Sequence, residues 1–493
     1  MKRLFLLLIL AAAYPILTAM CGFMVAKVNV SKTEIALINK ASQVILARSG
    51  DQTVVTMQSD YQGEAKDFAL IIPVPEVPRK QDIRIANMTL FNKLNAYSSP
   101  RLVDFYDAAP CTRDLHTGHV RTLTEATTTN ATDTDDFIQE PNLGVTIEAQ
   151  YQIGEYDIII LGATESAGLE TWLMENDYAI PVGAREALNP YIRDGLKFFV
   201  VKVNLEKQAA NEAVELSPIQ VTFRSDKFML PIRLGMANAK GSQDMVVYVL
   251  TDQGRAEVTN YRTVEMPTNR NVPTFVDQDF KGFYDRAFTT TWEKAGKSVA
   301  LLEYAWDISG FQPSKCNPCT GTPPTYKDLR EAGAFWLQAA GNWNTQYYGD
   351  IHFTRLHVRY DRKHFPQDLK FQITPNKQQY QTRYVIQRPN FDDYYCDEGL
   401  AYLRSLKIRR KKELKDFTDL TGIISNDNTR AYTKQISTLY TDEVQRKKPR
   451  KGVVAPTPVK RNWPFIGGGM LLLISGIILL ATKRRAFLTH HIA

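Results

Sequence analysis

No glycine-rich loop of the Gly-x-Gly kind follows any stretch that reads as a strand, so a nucleotide-cradling site has no support in this sequence. Histidines number only seven, and His352, His357 and His364 lack the HExxH spacing that sets two zinc ligands on one helix face. His352 lies in a strand run, where an interior or edge residue with its bonds satisfied is the simpler reading. Basic residues are not interleaved with aromatics, which disfavours nucleic-acid binding. No cofactor pattern is present, and none is expected. What the sequence does carry is concentrated first at its two ends.

The N-terminus has Lys2 and Arg3, an apolar run from Leu4 to Ala13, Pro15, and Ile16 to Ala19. This order of charge, apolar core and breaker predicts a signal peptide over residues 1–19. The apolar core is too short to span a bilayer, which takes roughly 20 residues. Cys21 would suit a lipid anchor, but the residue before it, Met20, is not small as lipidation prefers. At the other end Phe465 to Thr482 carries no charge and is followed by Lys483-Arg484-Arg485. Eighteen helical residues rise about 27 Å, close to the hydrocarbon thickness. Trp463 stands at the interface, and the basic triplet favours the cytoplasmic side. A single-pass transmembrane helix over 465–482 with a cytoplasmic tail over 483–493 is therefore expected, the body lying outside the cytoplasm as a cell-membrane protein. Gly467-Gly468-Gly469 also resembles the small-residue motif of bacterial sorting tails, although helix flexibility or close packing is the preferred reading.

The net charge of +7 hides an asymmetry. Residues 404–461 hold 16 Lys+Arg and 6 Asp+Glu, whereas residues 21–403 hold 39 and 47. The expected organisation is thus an exported globular body over 20–403, in one unit or two split near 140 or 270, then a basic helical stalk and linker over 404–461. Such a stalk can lie on anionic lipid or another acidic envelope polymer, and the commoner alternative is a solvated linker. The protein partner is unknown. Five cysteines, Cys21, Cys111, Cys316, Cys319 and Cys396, are disulfide candidates in an oxidising compartment, and an odd number leaves one over.

The pattern along the body is α+β and β-rich, with largely antiparallel sheets and packed helices. Two β-branched runs, Gln43–Arg48 and Gln52–Met57, flank Ser49-Gly50-Asp51 and predict a hairpin. A strand is expected over Phe68–Val74 and a helix over Met88–Ser98. Paired strands are expected around Gly154-Glu155, followed by helices near 167–176 and 184–194 and a strand over Phe198–Val203. Further strands are predicted at 220–223, 228–234, 244–250 and 256–264, and later at 351–360, 369–373 and 383–386. Phe280, Phe283, Tyr284 and Phe288 form one face of an amphipathic helix over 275–295, which core packing explains. A second long helix is expected from about Tyr395 to Phe417, crossing into the stalk.

Cys21-Gly22-Phe23, Asp60-Tyr61-Gln62-Gly63 and the run FALIIPVPEVP occur in order along the first part of the chain. Gly154-Glu155-Tyr156-Asp157-Ile158, Gly168-Leu169-Glu170-Thr171-Trp172-Leu173 and Tyr178-Ala179-Ile180-Pro181 follow. Leu230-Pro231-Ile232-Arg233-Leu234-Gly235 and Cys316-Asn317-Pro318-Cys319 complete the series. Together they resemble the bacterial family termed domain of unknown function 2330, over roughly Cys21 to Asn390. The resemblance implies an exported, often membrane-anchored protein and carries no site residues with it.

Three groups could carry chemistry. Cys316 and Cys319 have thioredoxin-like spacing, but Gly321, Pro323 and Pro324 prevent the helix that would lower the first thiol's pKa. A structural disulfide in a turn is the favoured reading. Ser166 sits between a strand and a helix, yet a nucleophile elbow needs glycine where Thr164 stands. A helix N-cap is its simpler role. His116 and His119, near Cys111, are weak metal candidates on a polar loop. A binding or structural module of the cell envelope is the leading expectation. The alternative is an envelope enzyme, a hydrolase at Ser166 or a thiol-disulfide catalyst at Cys316 and Cys319.

Overall fold

Strands buried on both faces read as continuous apolar runs, and the centre of this molecule is made of such strands. In the computed structural model Val44 and Leu46 point into one core while Ile45 and Ala47 point into another, all fully buried. The structure describes residues 23–26, 38–62, 67–111, 144–178, 180, 183–204, 216–237, 241–319, 321–341, 346–390 and 396–446. The expected signal peptide, the expected span at 465–482 with its cytoplasmic tail, and Cys21, His116 and His119 lie outside the described residues. Among the described residues no helix is long and apolar enough to cross a membrane.

The first half of the chain gives β1 (Phe23–Ala26), β2 (Ile38–Ser49), β3 (Gln52–Gln62), β4 (Asp67–Val74), β5 (Ile83–Ile85), helix α1 (Met88–Ser98) and β6 (Arg101–Tyr106). Then come β7 (Val145–Ile153), β8 (Tyr156–Ala163), α2 (Ser166–Glu175), α3 (Ala184–Arg193), β9 (Lys197–Asn204), β10 (Ile219–Arg224) and β11 (Met229–Leu230). The second half adds β12 (Gln243–Thr251), β13 (Ala256–Val258), β14 (Arg262–Glu265), β15 (Arg270–Asn271), α4 (Phe280–Lys294) and β16 (Val299–Asp307). It ends with α5 (Tyr326–Glu331), β17 (Gln338–Ala339), β18 (Tyr347–Tyr348), β19 (His352–Tyr360), β20 (Leu369–Ile373), β21 (Tyr380–Gln381), β22 (Arg383–Arg388), α6 (Asp397–Thr421) and α7 (Asp427–Arg446).

The fold is α+β with mostly antiparallel sheets. The largest sheet runs β14-β16-β19-β12-β2-β3-β10-β5, with β21 beside β16, and the second runs β1-β4-β9-β8-β7. The predicted hairpin is present: Ser49 faces Gln52, and Gly50 takes a positive φ of 58° that its two-residue turn requires. The run of strands predicted over 220–264 divides between sheets. Strands β10, β12 and β14 join the large sheet, with β12 parallel to β2 and β14 parallel to β16, whereas β11 and β13 flank β20. One core fills the space between the two sheets, joining Leu70, Ile72, Val74, Ile158 and Phe199 to Val55, Met57, Val247 and Leu356. Helices α2 and α3 cover the far face of the smaller sheet through Leu169, Leu173, Leu188 and Tyr191. Helix α1 covers part of the far face of the large sheet through Phe91, Leu94 and Tyr97.

The aromatic stripe of α4 packs as the sequence suggests, with Phe283 meeting Tyr384 edge-on at 4.9 Å between centroids and Phe417 at 5.9 Å. That last contact changes the expected boundary. Residues after Leu403 were expected to form a stalk, but Leu406, Phe417 and Leu420 of α6 are buried, the latter two in the core that holds α4 and β22. The physical reason is periodicity: Leu403, Leu406, Arg410, Glu413, Phe417 and Leu420 recur every three or four residues on one face. Two of those buried positions are charged and hide the stripe. Arg410 donates to the Tyr432 hydroxyl of α7, which donates to Glu413 Oε2, while Glu413 Oε1 has no hydrogen-bond partner among the described residues. Helix α6 is also fastened at its start by the Cys111–Cys396 disulfide and along its side by Arg409 to Asp107 at 2.6 Å. Residues up to Glu443 cluster as one compact unit.

Phe417→Ala should therefore cost roughly 3–5 kcal/mol of stability, as expected for a buried phenylalanine, while Lys411→Ala on the exposed face should stay within about 0.5 kcal/mol. Urea unfolding of both variants checks this. Equal, negligible effects would mean that α6 is a stalk independent of the body.

Candidate functional site

The sequence candidates do not converge. Ser166 opens α2, but the N-cap is Glu165, and Ser166 does not cap the helix as expected. Its hydroxyl donates instead to Asn189 Oδ1 at 2.6 Å, tying α2 to α3. An amide oxygen cannot take the proton that an activated serine must lose, so this contact does not make a nucleophile. Cys316 and Cys319 form a disulfide with Cα atoms 5.0 Å apart. Cys316 is 6% exposed, and no helix starts until Tyr326. The surrounding backbone is held from several sides. The Tyr97 and Tyr304 hydroxyls donate to Lys315 O, Arg101 to Pro318 O, and Gln381 Nε2 to Asn317 O at 3.0 Å. This is the setting of a fixed turn, as the favoured reading has it. Cys111 pairs with Cys396, 285 residues away. Among the described residues no group of three or more His, Cys, Asp or Glu side chains could hold a metal ion.

The chemistry that the sequence did not reveal lies under α4. Strand alternation puts Arg355, His357 and Arg359 of β19 on one face. A bulge in β16 between Leu302 and Tyr304 sets Glu303 among them. Glu303, with no exposed surface, meets Arg355 Nε at 2.5 Å and His357 Nδ1 at 2.9 Å, and it accepts a bond from the Tyr284 hydroxyl. Asp244 holds Arg359 through both carboxylate oxygens and lies 3.5 Å from His357 Nε2. Arg355 extends the network to Asn95 Oδ1 at 2.8 Å, binding α1 as well. Burial alone would raise Glu303, but the Arg355 and His357 charges outweigh it and hold its pKa at about 2. Burial would lower His357, and the Glu303 charge with bonds to both carboxylates raises it to about 9. Phe288 of α4 stacks 4.0 Å from the His357 ring, so the cluster is roofed. Its groups are fully engaged with one another, which is the pattern of a structural network.

His352 is different. It is interior, 2% exposed, but neither ring nitrogen has a hydrogen-bond partner among the described residues, contrary to the expectation of a satisfied histidine. Burial pushes its pKa down to about 4.

A cavity offers room for a ligand. Alternation directs Val55 and Met57 of β3, Val221 and Phe223 of β10, and Ile72 and Val74 of β4 into a small cleft, with a cavity volume of about 50 Å³, between the two large sheets. Leu196, Leu230 and three prolines also line it, and Ser225 and the exposed Lys227 are its polar members. Lys227 reaches Asp194 at 2.9 Å, both residues well exposed. Such a lining, apolar with few polar groups, is the usual composition of a small-molecule site.

A family defined as an uncharacterized protein conserved in bacteria matches residues 15–372. The chain belongs to this family, domain of unknown function 2330. The domain of unknown function 2330 contains the whole cleft and the Glu303 cluster, while α6 and α7 follow its last matched residue. No curated protein and no solved structure matches the chain.

Two predictions concern the buried groups. Glu303→Gln leaves Arg355 without its carboxylate partner and His357 with Asp244 alone, and should cost roughly 3–5 kcal/mol in urea unfolding. The two histidines act in opposite pH windows. His352 has a folded pKa below its unfolded value of 6.5, so stability is full above about pH 6.5 and falls toward pH 4, by about 3 kcal/mol. His357 has a raised pKa, so its contribution is full below about pH 6.5 and is lost as pH rises through about 9. Replacing His352 with Leu should flatten the acid limb alone; a limb unchanged in that variant would assign it to other groups.

Proposed function

We propose that this protein is a membrane-anchored binding module of the bacterial cell envelope, its body held outside the cytoplasm, with the cleft between β3, β4 and β10 as its ligand site. The observation that carries this reading is the cleft, whose apolar lining with two polar residues, Ser225 and Lys227, suits a ligand with an aliphatic or otherwise apolar part. The exported location is supported by two disulfides, which persist in oxidising compartments, and by the charge and apolar patterns of the chain ends. The fixed turn around Cys316 and the bond from Ser166 to Asn189 favour binding over thiol exchange or acyl transfer.

Binding is tested with a fluorescent polyene fatty acid titrated into the purified full chain. Ser225→Trp in the lining should weaken binding by tenfold or so, about 1.4 kcal/mol, without altering thermal unfolding. Wild-type affinity in that variant, or no binding to the parent chain, would remove the cleft from the proposal. Location is tested by adding protease to spheroplasts: the body should be digested while a cytoplasmic marker survives.

A further inference from the structure

The exposed side of α6 has a composition that its buried side does not explain. Between Gly399 and Thr418 the exposed residues are Ala401, Arg404, Ser405, Ile408, Lys411, Lys412 and Lys415. At 3.6 residues per turn these fall within about one third of the helix circumference. Between these limits every exposed charge is positive, because Glu413 and Asp416 turn inward, and the exposed acids of α6, Asp397, Glu398 and Asp419, stand at its two ends. Lys412 and Lys415 make intrahelical pairs with Asp416 at 2.7 Å and Asp419 at 2.8 Å, so part of their charge is shared. In the middle of this cationic stripe stands Ile408, an isoleucine 71% exposed. Ile424, just beyond the end of α6, is 86% exposed. Cations flanking an exposed aliphatic side chain are the combination that settles at a charged lipid surface, where the cations meet headgroup phosphates and the apolar side chain enters the boundary.

The distance to a bilayer is short in sequence. Residues 447–464 separate the last residue of α7 from the uncharged run at 465–482. Fully extended, they span at most about 60 Å. They also carry six more basic residues, Lys447, Lys448, Arg450, Lys451, Lys460 and Arg461, and no acid. We infer that this face of α6 lies on the surface of an anionic phospholipid bilayer and sets the orientation of the body on it. The inference rests on the proposed anchoring. It goes beyond it because α6 is part of the folded body, bound through Phe417, Arg409 and the Cys111–Cys396 disulfide. Contact along α6 therefore fixes how the whole body faces the membrane.

The test uses the full chain reconstituted with zwitterionic vesicles or with vesicles containing phosphatidylglycerol. Flotation with zwitterionic vesicles reports the anchor. Acylation of lysines by a neutral reagent, read by mass spectrometry, reports the face. Lys411 and Lys415 should react about threefold less on anionic than on zwitterionic vesicles, and the difference should vanish at about 0.5 M salt. The exposed Lys327 and Lys363 should not change. In a Lys411→Glu/Lys415→Glu variant, Lys412 should lose its protection while the protein still floats. Equal labelling of the floated protein in both vesicle types overturns the inference and leaves the anchor standing. Protection by soluble polyphosphate but not by anionic vesicles overturns it in favour of an acidic polymer. Failure to float with either vesicle type overturns both the anchor and the inference.

Discussion

The arrangement depends on one buried carboxylate. Glu303 sits at a bulge in the large sheet and compensates Arg355 and, together with Asp244, His357, which strand alternation places beneath α4. Removing charge from water is costly, and a cluster like this persists only when every partner is placed. The Tyr284 hydroxyl on α4 completes it, and Phe288 and Trp292 lie against the cations below, so the helix is located by the charges it covers. Helix α4 then offers Phe283 to Phe417 of α6. The position of the C-terminal helices thus follows, through α4, from an electrostatic requirement inside the sheet.

Local features were legible in the sequence and distant ones were not. The helix over Met88–Ser98 matches its predicted limits, because Asn87 caps it and Leu90, Leu94 and Tyr97 mark a clear stripe. The Gly50 and Gly154 turns matched for a similar reason, since each glycine takes a positive φ between two alternating runs. The α6 boundary failed because net charge over 404–461 outweighed the periodicity of Leu403, Leu406, Phe417 and Leu420. Ser166 looked like a cap because it precedes an apolar helix, yet the chain enters the helix one residue earlier, at Glu165. The Glu303 cluster draws on residues from Asn95 to Arg359, and no window of sequence contains it. Its trace was the Arg355, His357, Arg359 alternation in an otherwise apolar strand, a pattern that needs an unseen acid to make sense. The cleft is also non-local: its walls come from β3, β4 and β10, whose apolar alternation looked like ordinary core.

The charged and apolar features divide between two parts of the body. The cleft is formed where the sheets meet, within the matched family region, while the cationic helix face follows it. The cleft and the cationic helix face, placed on separate elements, can vary independently, provided that the α4–α6 contact holds them in one unit.

The Cys111–Cys396 bond has a temporal consequence. A ribosome makes Cys111 first, and its partner arrives 285 residues later. Cys316 and Cys319 emerge during the wait, so, with Cys21 already made, the earlier thiol meets three other cysteines before its partner. The separation of Cys316 and Cys319 by three residues is the safeguard. Closing so small a ring takes little chain entropy, and an external two-electron oxidant can join the neighbours before either finds Cys111. Proximity along the chain thereby favours the short-range pairing, and the long-range bond joins the start of α6 to the segment after β6.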